Sequence, residues 1–130
     1  LQADLAGTKG YFQAEFVDQG LNDVLAASDL VLSRAGATAI GEFLALKKPM
    51  LLVPYPKGAS RGDQILNAED YQKRGLALVL PQAAMTAETL TARLFEMMEK
   101  APAMRQAMEK EPDADGSGAV FALIEALAKR

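Results

Sequence analysis

Three short apolar runs alternate with helical stretches along this chain. Leu30-Val31-Leu32-Ser33, Met50 to Val53 and Leu76 to Leu80 are continuous rather than alternating, as in strands buried on both faces. Tyr11 to Val17 is rich in β-forming residues and predicts a further, earlier strand. Between them, period-3.6 spacing predicts a short helix over 21–28 with Leu21, Val24 and Leu25 inward, and helices over 37–46 and 63–74. Lys47-Lys48-Pro49 stops the second of these, and Gly75 is the expected C-cap of the third. Thr86 reads as the N-cap of a helix over 87–100 with Leu90, Leu94, Met97 and Met98 inward. A separate shorter helix is expected after Pro102, then a linker over 111–118 and a tail helix over 117–129. Strand–helix repetition with short loops predicts an α/β fold, a parallel sheet flanked by helices, with 30–33, 50–53 and 77–80 adjacent in that order.

In such a sheet, ligands sit beyond the carboxyl ends of the strands, and two polar loops fall there. Ser33 to Thr38 leads from a strand into a helix. Gly36 is expected to allow a tight turn and close approach, leaving the N–H groups of Ala37, Thr38 and Ala39 to face an anion. Such a turn is also common without any ligand. Glu42 lies four residues after Thr38 on the same side. It suits the paired hydroxyls of a ribose, and equally a solvated carboxylate near a helix N-terminus. The second loop leads into Asp63, Gln64 and Asn67, placed together on one helical turn. These are donors and acceptors for sugar hydroxyls or, in the plain alternative, an N-cap and two solvent-facing amides.

Composition narrows the chemistry. There is no His and no Cys, which removes Ser–His–Asp and Cys–His nucleophilic sites, the usual zinc sites and imidazole as a base. A net charge of −3, from 14 basic and 17 acidic residues, argues against a nucleic-acid partner. No apolar run approaches the roughly 18 residues of a membrane span, and no signal peptide is visible. Lack of Cys fits a reducing compartment. The 130 residues suffice for one domain, and the start at Leu1 without Met suggests a fragment.

Ser33-Arg34-Ala35-Gly36-Ala37-Thr38-Ala39-Ile40-Gly41-Glu42, Lys48 to Pro54 and Ser60-Arg61-Gly62-Asp63-Gln64-Ile65-Leu66-Asn67-Ala68 stand in register. Together they resemble the MurG family, over about Tyr11 to Pro81 and more loosely through the tail. The resemblance implies a GT-B glycosyltransferase, two Rossmann-like domains facing a cleft. Residues 1–130 would be an N-terminally truncated C-terminal domain that binds the UDP-sugar. It implies inverting, metal-independent transfer of N-acetylglucosamine from UDP-N-acetylglucosamine to undecaprenyl-pyrophosphoryl-muramoyl pentapeptide in peptidoglycan synthesis. The enzyme would be peripheral at the cytoplasmic face of the bacterial membrane. The acceptor and membrane belong to the N-terminal domain. No cofactor beyond the donor substrate is implied, and no catalytic residue falls within this chain, which is expected to be inactive alone.

Carried onto matched positions, the backbone around Val17 would contact uracil, and Gly36, Ala37 and Thr38 the diphosphate. Glu42 would take the ribose hydroxyls, and Asp63, Gln64 and Asn67 the N-acetylglucosamine ring. Gln64 is then expected to matter for the sugar nucleotide and not for UDP. The family's first strand with its Gly/Ser-rich turn, and a second strand, do not precede Leu1; both would lie between 11–17 and 30–33. The strand at 11–17 is thus expected to be detached or to pair through self-association. Two other readings share these residues: a non-catalytic donor-binding subunit of a two-chain N-acetylglucosaminyltransferase, and a diacylglycerol-type lipid glycosyltransferase.

Overall fold

In the computed structural model, which describes residues 4–15, 17, 20–58 and 61–111, the three apolar runs form one sheet. β1 (Val31–Ser33), β2 (Met50–Leu52) and β3 (Ala77–Val79) pair in that order, all parallel. Val31 stands opposite Met50, and Met50 opposite Ala77. β2 is central, and its three residues are 0% exposed, which is why it reads as unbroken apolar sequence.

Successive residues of β2 point to opposite faces, so two cores form. On one face Met50 and Leu52 pack with Leu25 of α1 (Leu21–Ala27), with Ile40, Phe43 and Leu44 of α2 (Ala37–Ala45), and with Ala68 of α3 (Asp63–Lys73). On the other, Leu51 and Leu78 meet Met97 and Met104 of α4 (Ala87–Glu109). Met108, near the end of α4, joins the first core instead, so one helix serves both layers.

Helix ends follow local chemistry. Thr86 caps α4, its hydroxyl accepting from the Thr89 N–H at 3.1 Å while Thr89 Oγ1 accepts from the Thr86 N–H at 2.7 Å. α3 closes on Gly75 (φ 77°), with the Leu76 N–H reaching the Tyr71 carbonyl. α2 closes the same way on Lys47 (φ 55°), a left-handed position without the glycine that usually fills it.

Several expectations need correction. Residues 11–15 and Val17 form no strand and lie outside the sheet. A β-rich sequence becomes a strand only where another strand pairs with it, and the sheet of the described residues consists of β1, β2 and β3. Within α1 only Leu25 is buried; Leu21 and Val24 are exposed. α4 does not stop at Pro102 but runs unbroken for 23 residues. The proline ring removes the N–H that would serve the Met98 carbonyl. Both residues lie on the outer side, where water can take that carbonyl. Met98 is accordingly not inward, being 58% exposed, whereas Met97 is 0% exposed. A 3₁₀ turn at Gln82–Ala84, not anticipated, links β3 to α4. Beyond Glu111, the linker at 111–118 and the tail helix at 117–129 lie outside the described residues. Among the described residues no helix is long and apolar enough to cross a membrane.

Candidate functional site

Because the strands are parallel, the segments that follow them emerge at one edge of the sheet. After β1 the chain passes Arg34, Ala35 and Gly36 and enters α2. The Gly36 carbonyl accepts the first helical bond, from the Ile40 N–H at 3.0 Å. The N–H groups of Ala37, Thr38 and Ala39 therefore have no acceptor inside the helix, and no side chain caps it. They form the positive end of the α2 dipole, and Ala37 and Thr38 are exposed. Glu42, one turn on, is exposed on the same side as Thr38, with no side-chain partner among the described residues.

Gly36 does not make a left-handed turn. Its φ of −67° and ψ of 136° suit any residue. A methyl there would stand 3.8 Å from Gln64 Nε2, an ordinary contact. Gly36 is the N-cap of α2, a position that glycine fills well, and its lack of a side chain also leaves room for another molecule to come close.

The first turn of α3 faces this loop. Gln64 Oε1 accepts from the Tyr55 N–H at 3.0 Å and from the Ala35 N–H at 3.3 Å. Asn67 Nδ2 donates to the Ala35 carbonyl at 3.1 Å. Both amides are half-buried, so they are neither solvent-facing nor wholly open to a ligand. Gln64 Nε2 and Asn67 Oδ1 take no part in these bonds. Asp63 begins the helix, exposed, and Gly62 rather than Asp63 is the N-cap. Val17 is half-buried, and no described contact joins it to the rest of the candidate site.

A second network escaped the sequence reading. Arg34 Nη1 donates to the Val53 carbonyl at 3.2 Å and to Gln82 Oε1 at 2.6 Å. Its guanidinium also lies over the Tyr55 ring. These residues come from the ends of all three strands. Parallel order alone brings such positions together, and that was the available signal. A shallow pocket of about 230 Å³ borders Arg34 and Ser33, but its apolar walls, Leu32, Val53 and Met85, lie towards the α4 side of the sheet. Among the described residues no group of three or more acidic side chains converges to hold a metal ion.

The site thus has fixed donors at a helix N-terminus, a carboxylate one turn on and amides opposite: chemistry for a phosphorylated, hydroxyl-rich ligand. Its sequence carries a family signature, since residues 2–120 match the model of the glycosyltransferase family 28 C-terminal domain. The chain belongs to that family. A UDP-N-acetylglucosamine--N-acetylmuramyl-(pentapeptide) pyrophosphoryl-undecaprenol N-acetylglucosamine transferase of Geobacillus thermodenitrificans is 47% identical, covering 99% of this chain and 36% of that protein. Its namesake from Oceanobacillus iheyensis is 44% identical over 92% of this chain and 34% of its own length. The resemblance drawn from the three motifs is borne out, and the chain spans about a third of the length of these relatives. Two solved structures share the fold. The spinosyn forosaminyltransferase SpnP aligns at a TM-score of 0.56 with 21% identity, over 85% of this chain and 28% of its own. The glycotransferase of kitacinnamycin aligns at 0.52 with 23% identity, over 76% and 26%. The family 28 domain here is therefore α/β and of the GT-B glycosyltransferase type, as expected.

Proposed function

We propose that this family 28 domain binds UDP-N-acetylglucosamine for a transferase that passes the sugar to a lipid-linked muramoyl-pentapeptide acceptor. The observation that carries the reading is the uncapped start of α2. There Gly36 is demanded by no backbone strain, and the N–H groups of Ala37 and Thr38 point outward beside Glu42. The diphosphate rests on those amides and on the helix dipole, where negative charge is favoured. The Glu42 carboxylate accepts both ribose hydroxyls, the backbone near Val17 lies against uracil, and Asp63, Gln64 and Asn67 border the sugar.

The names of the relatives support the donor and the acceptor class. The acceptor and the proton transfer belong to a companion domain, and the complete enzyme works at the cytoplasmic face of a bacterial membrane. Calorimetric titration of the chain with UDP, UDP-N-acetylglucosamine and ADP tests the reading. Both uridine nucleotides should bind and ADP should bind far more weakly. Equal affinity for ADP, or no uridine-nucleotide binding, would sink it.

A further inference from the structure

The two amides assigned to the sugar ring are already occupied on one side, and both hold the same residue. Ala35 is 0% exposed. Its N–H is taken by Gln64 Oε1 at 3.3 Å and its carbonyl by Asn67 Nδ2 at 3.1 Å. The same Gln64 oxygen takes the Tyr55 N–H at 3.0 Å, tying the loop after β2 to the loop after β1. Ala35 immediately precedes Gly36, where α2 begins. The peptide planes on either side of Ala35 therefore fix the direction in which the helix presents its first N–H groups.

Among the described residues neither loop supplies these bonds. The buried N–H and carbonyl of Ala35 need partners, and the described residues provide them only from α3. Removing Gln64 Oε1 leaves two backbone donors unsatisfied at once, one of them on a buried residue. The two loops then lose one of their ties and keep the Arg34 bond to the Val53 carbonyl and its stacking on Tyr55.

We infer that Gln64 and Asn67 are positioning residues for the diphosphate end of the site: a two-point clamp on Ala35 that aims the start of α2. The inference rests on the proposed donor binding but assigns these side chains a different part in it. Sugar contact alone predicts that Gln64→Ala impairs UDP-N-acetylglucosamine and spares UDP, which has no sugar ring. The clamp predicts that UDP itself binds more weakly. It also couples the two ends of the ligand: a sugar engaging Gln64 Nε2 or Asn67 Oδ1 presses on side chains that orient the diphosphate donors.

The test uses the 130-residue chain as the unsubstituted protein and as Gln64→Ala, Asn67→Ala, Gln64→Glu and Gln72→Ala, the last an exposed position on the same helix. Hydrogen exchange of backbone amides by NMR, without ligand, is the first readout. Gln64→Ala should speed exchange at Ala35 by roughly tenfold or more relative to the β2 amides. Gln64→Glu, which keeps an oxygen in place, should restore slow exchange, and Gln72→Ala should change neither. UDP titration is the second readout. Gln64→Ala and Asn67→Ala should each weaken UDP by roughly tenfold, about 1.4 kcal/mol, as the helix start loses its aim. Two results overturn the clamp: unchanged UDP affinity in Gln64→Ala with loss confined to the sugar nucleotide, or exchange that rises equally across the sheet. If the unsubstituted chain fails to bind UDP, the proposed function falls, and the clamp is decided by exchange at Ala35 alone.

Discussion

The guanidinium of Arg34 lies 4.2 Å above the centre of the Tyr55 ring. With its bonds to the Val53 carbonyl and Gln82 Oε1, this stacking makes one side chain the tie between the exits of all three strands. Arg34→Ala removes the cation, the stacking and both bonds, and should lower stability by about 1–2 kcal/mol in urea unfolding. Arg34→Lys keeps the charge but not the planar fork, and should recover less than half of that loss. Equal stability of Arg34→Ala and the unsubstituted chain would reduce the network to a surface contact.

Glu42 should matter to every uridine nucleotide. A hydrogen bond to a charged acceptor contributes about 1.5–3 kcal/mol, so Glu42→Ala should weaken UDP and UDP-N-acetylglucosamine alike by roughly tenfold to a hundredfold. Since Glu42 is exposed and unpartnered among the described residues, its removal should leave the melting temperature unchanged. Unaltered UDP affinity would return Glu42 to being a solvated helix residue.

Gly36→Ala separates ligand from fold. Alanine is a poorer N-cap than glycine, yet it lowers the entropy of the unfolded chain, and each effect is on the order of 0.5–1 kcal/mol. They oppose each other, so thermal stability should move little. The added methyl stands at the place where a diphosphate would approach the helix, and UDP binding should fall at least roughly tenfold, a loss of about 1.4 kcal/mol. A variant that binds UDP normally would show that nothing comes close to Gly36.

How far the sequence could be read depends on what each residue faces. β2 was legible because a strand buried on both sides must be apolar throughout, as Met50-Leu51-Leu52 is, whereas β1 is an apolar run although Leu32 is 48% exposed. Tyr11 to Val17 has strand-forming residues too, but propensity describes a residue and pairing describes a neighbour. The position of Gln64 on α3 was legible from the helical period; whether a polar face meets ligand, water or another loop was not. That is why amides suited to sugar hydroxyls proved to hold backbone. Arg34 was hidden for a similar reason, since its Gln82 partner is 48 residues away.

Adjacent methionines in α4 should answer very differently to the same change. Met97→Ala empties a fully buried position between Leu51 and Leu78, and should cost about 2–5 kcal/mol. Met98→Ala, on the outer side, should stay within about 0.5 kcal/mol. Urea midpoints of the two variants decide the helix rotation. Equal losses would mean that α4 is turned differently from the arrangement described.

Tyr71 gives the chain an alkaline limit. Burial chiefly, then the carboxylates of Asp70 and Glu111, push its phenol above the ordinary value of 10.0, against the lowering pull of Arg74. The folded state therefore holds that proton more tightly than the unfolded one. The resulting stability is complete below the ordinary value and is lost as pH rises through the folded value. Phenolate absorbance should show a Tyr71 step later than that of free tyrosine. Tyr71→Phe should remove that step and flatten the alkaline fall in the urea midpoint. A late step that persists in Tyr71→Phe would assign it to another tyrosine.

The dual packing of α4 has a consequence for how the molecule is made. A ribosome delivers β1, β2 and β3 in the order in which they pair, so each new strand finds its neighbour already waiting. Among the described residues the layer formed by Leu51 and Leu78 gains its helical cover only when Met97 and Met104 have emerged, and Met108 completes the opposite layer later still. During that interval the nascent sheet presents a bare apolar face, the kind of surface on which growing chains stick to one another and to which chaperones bind.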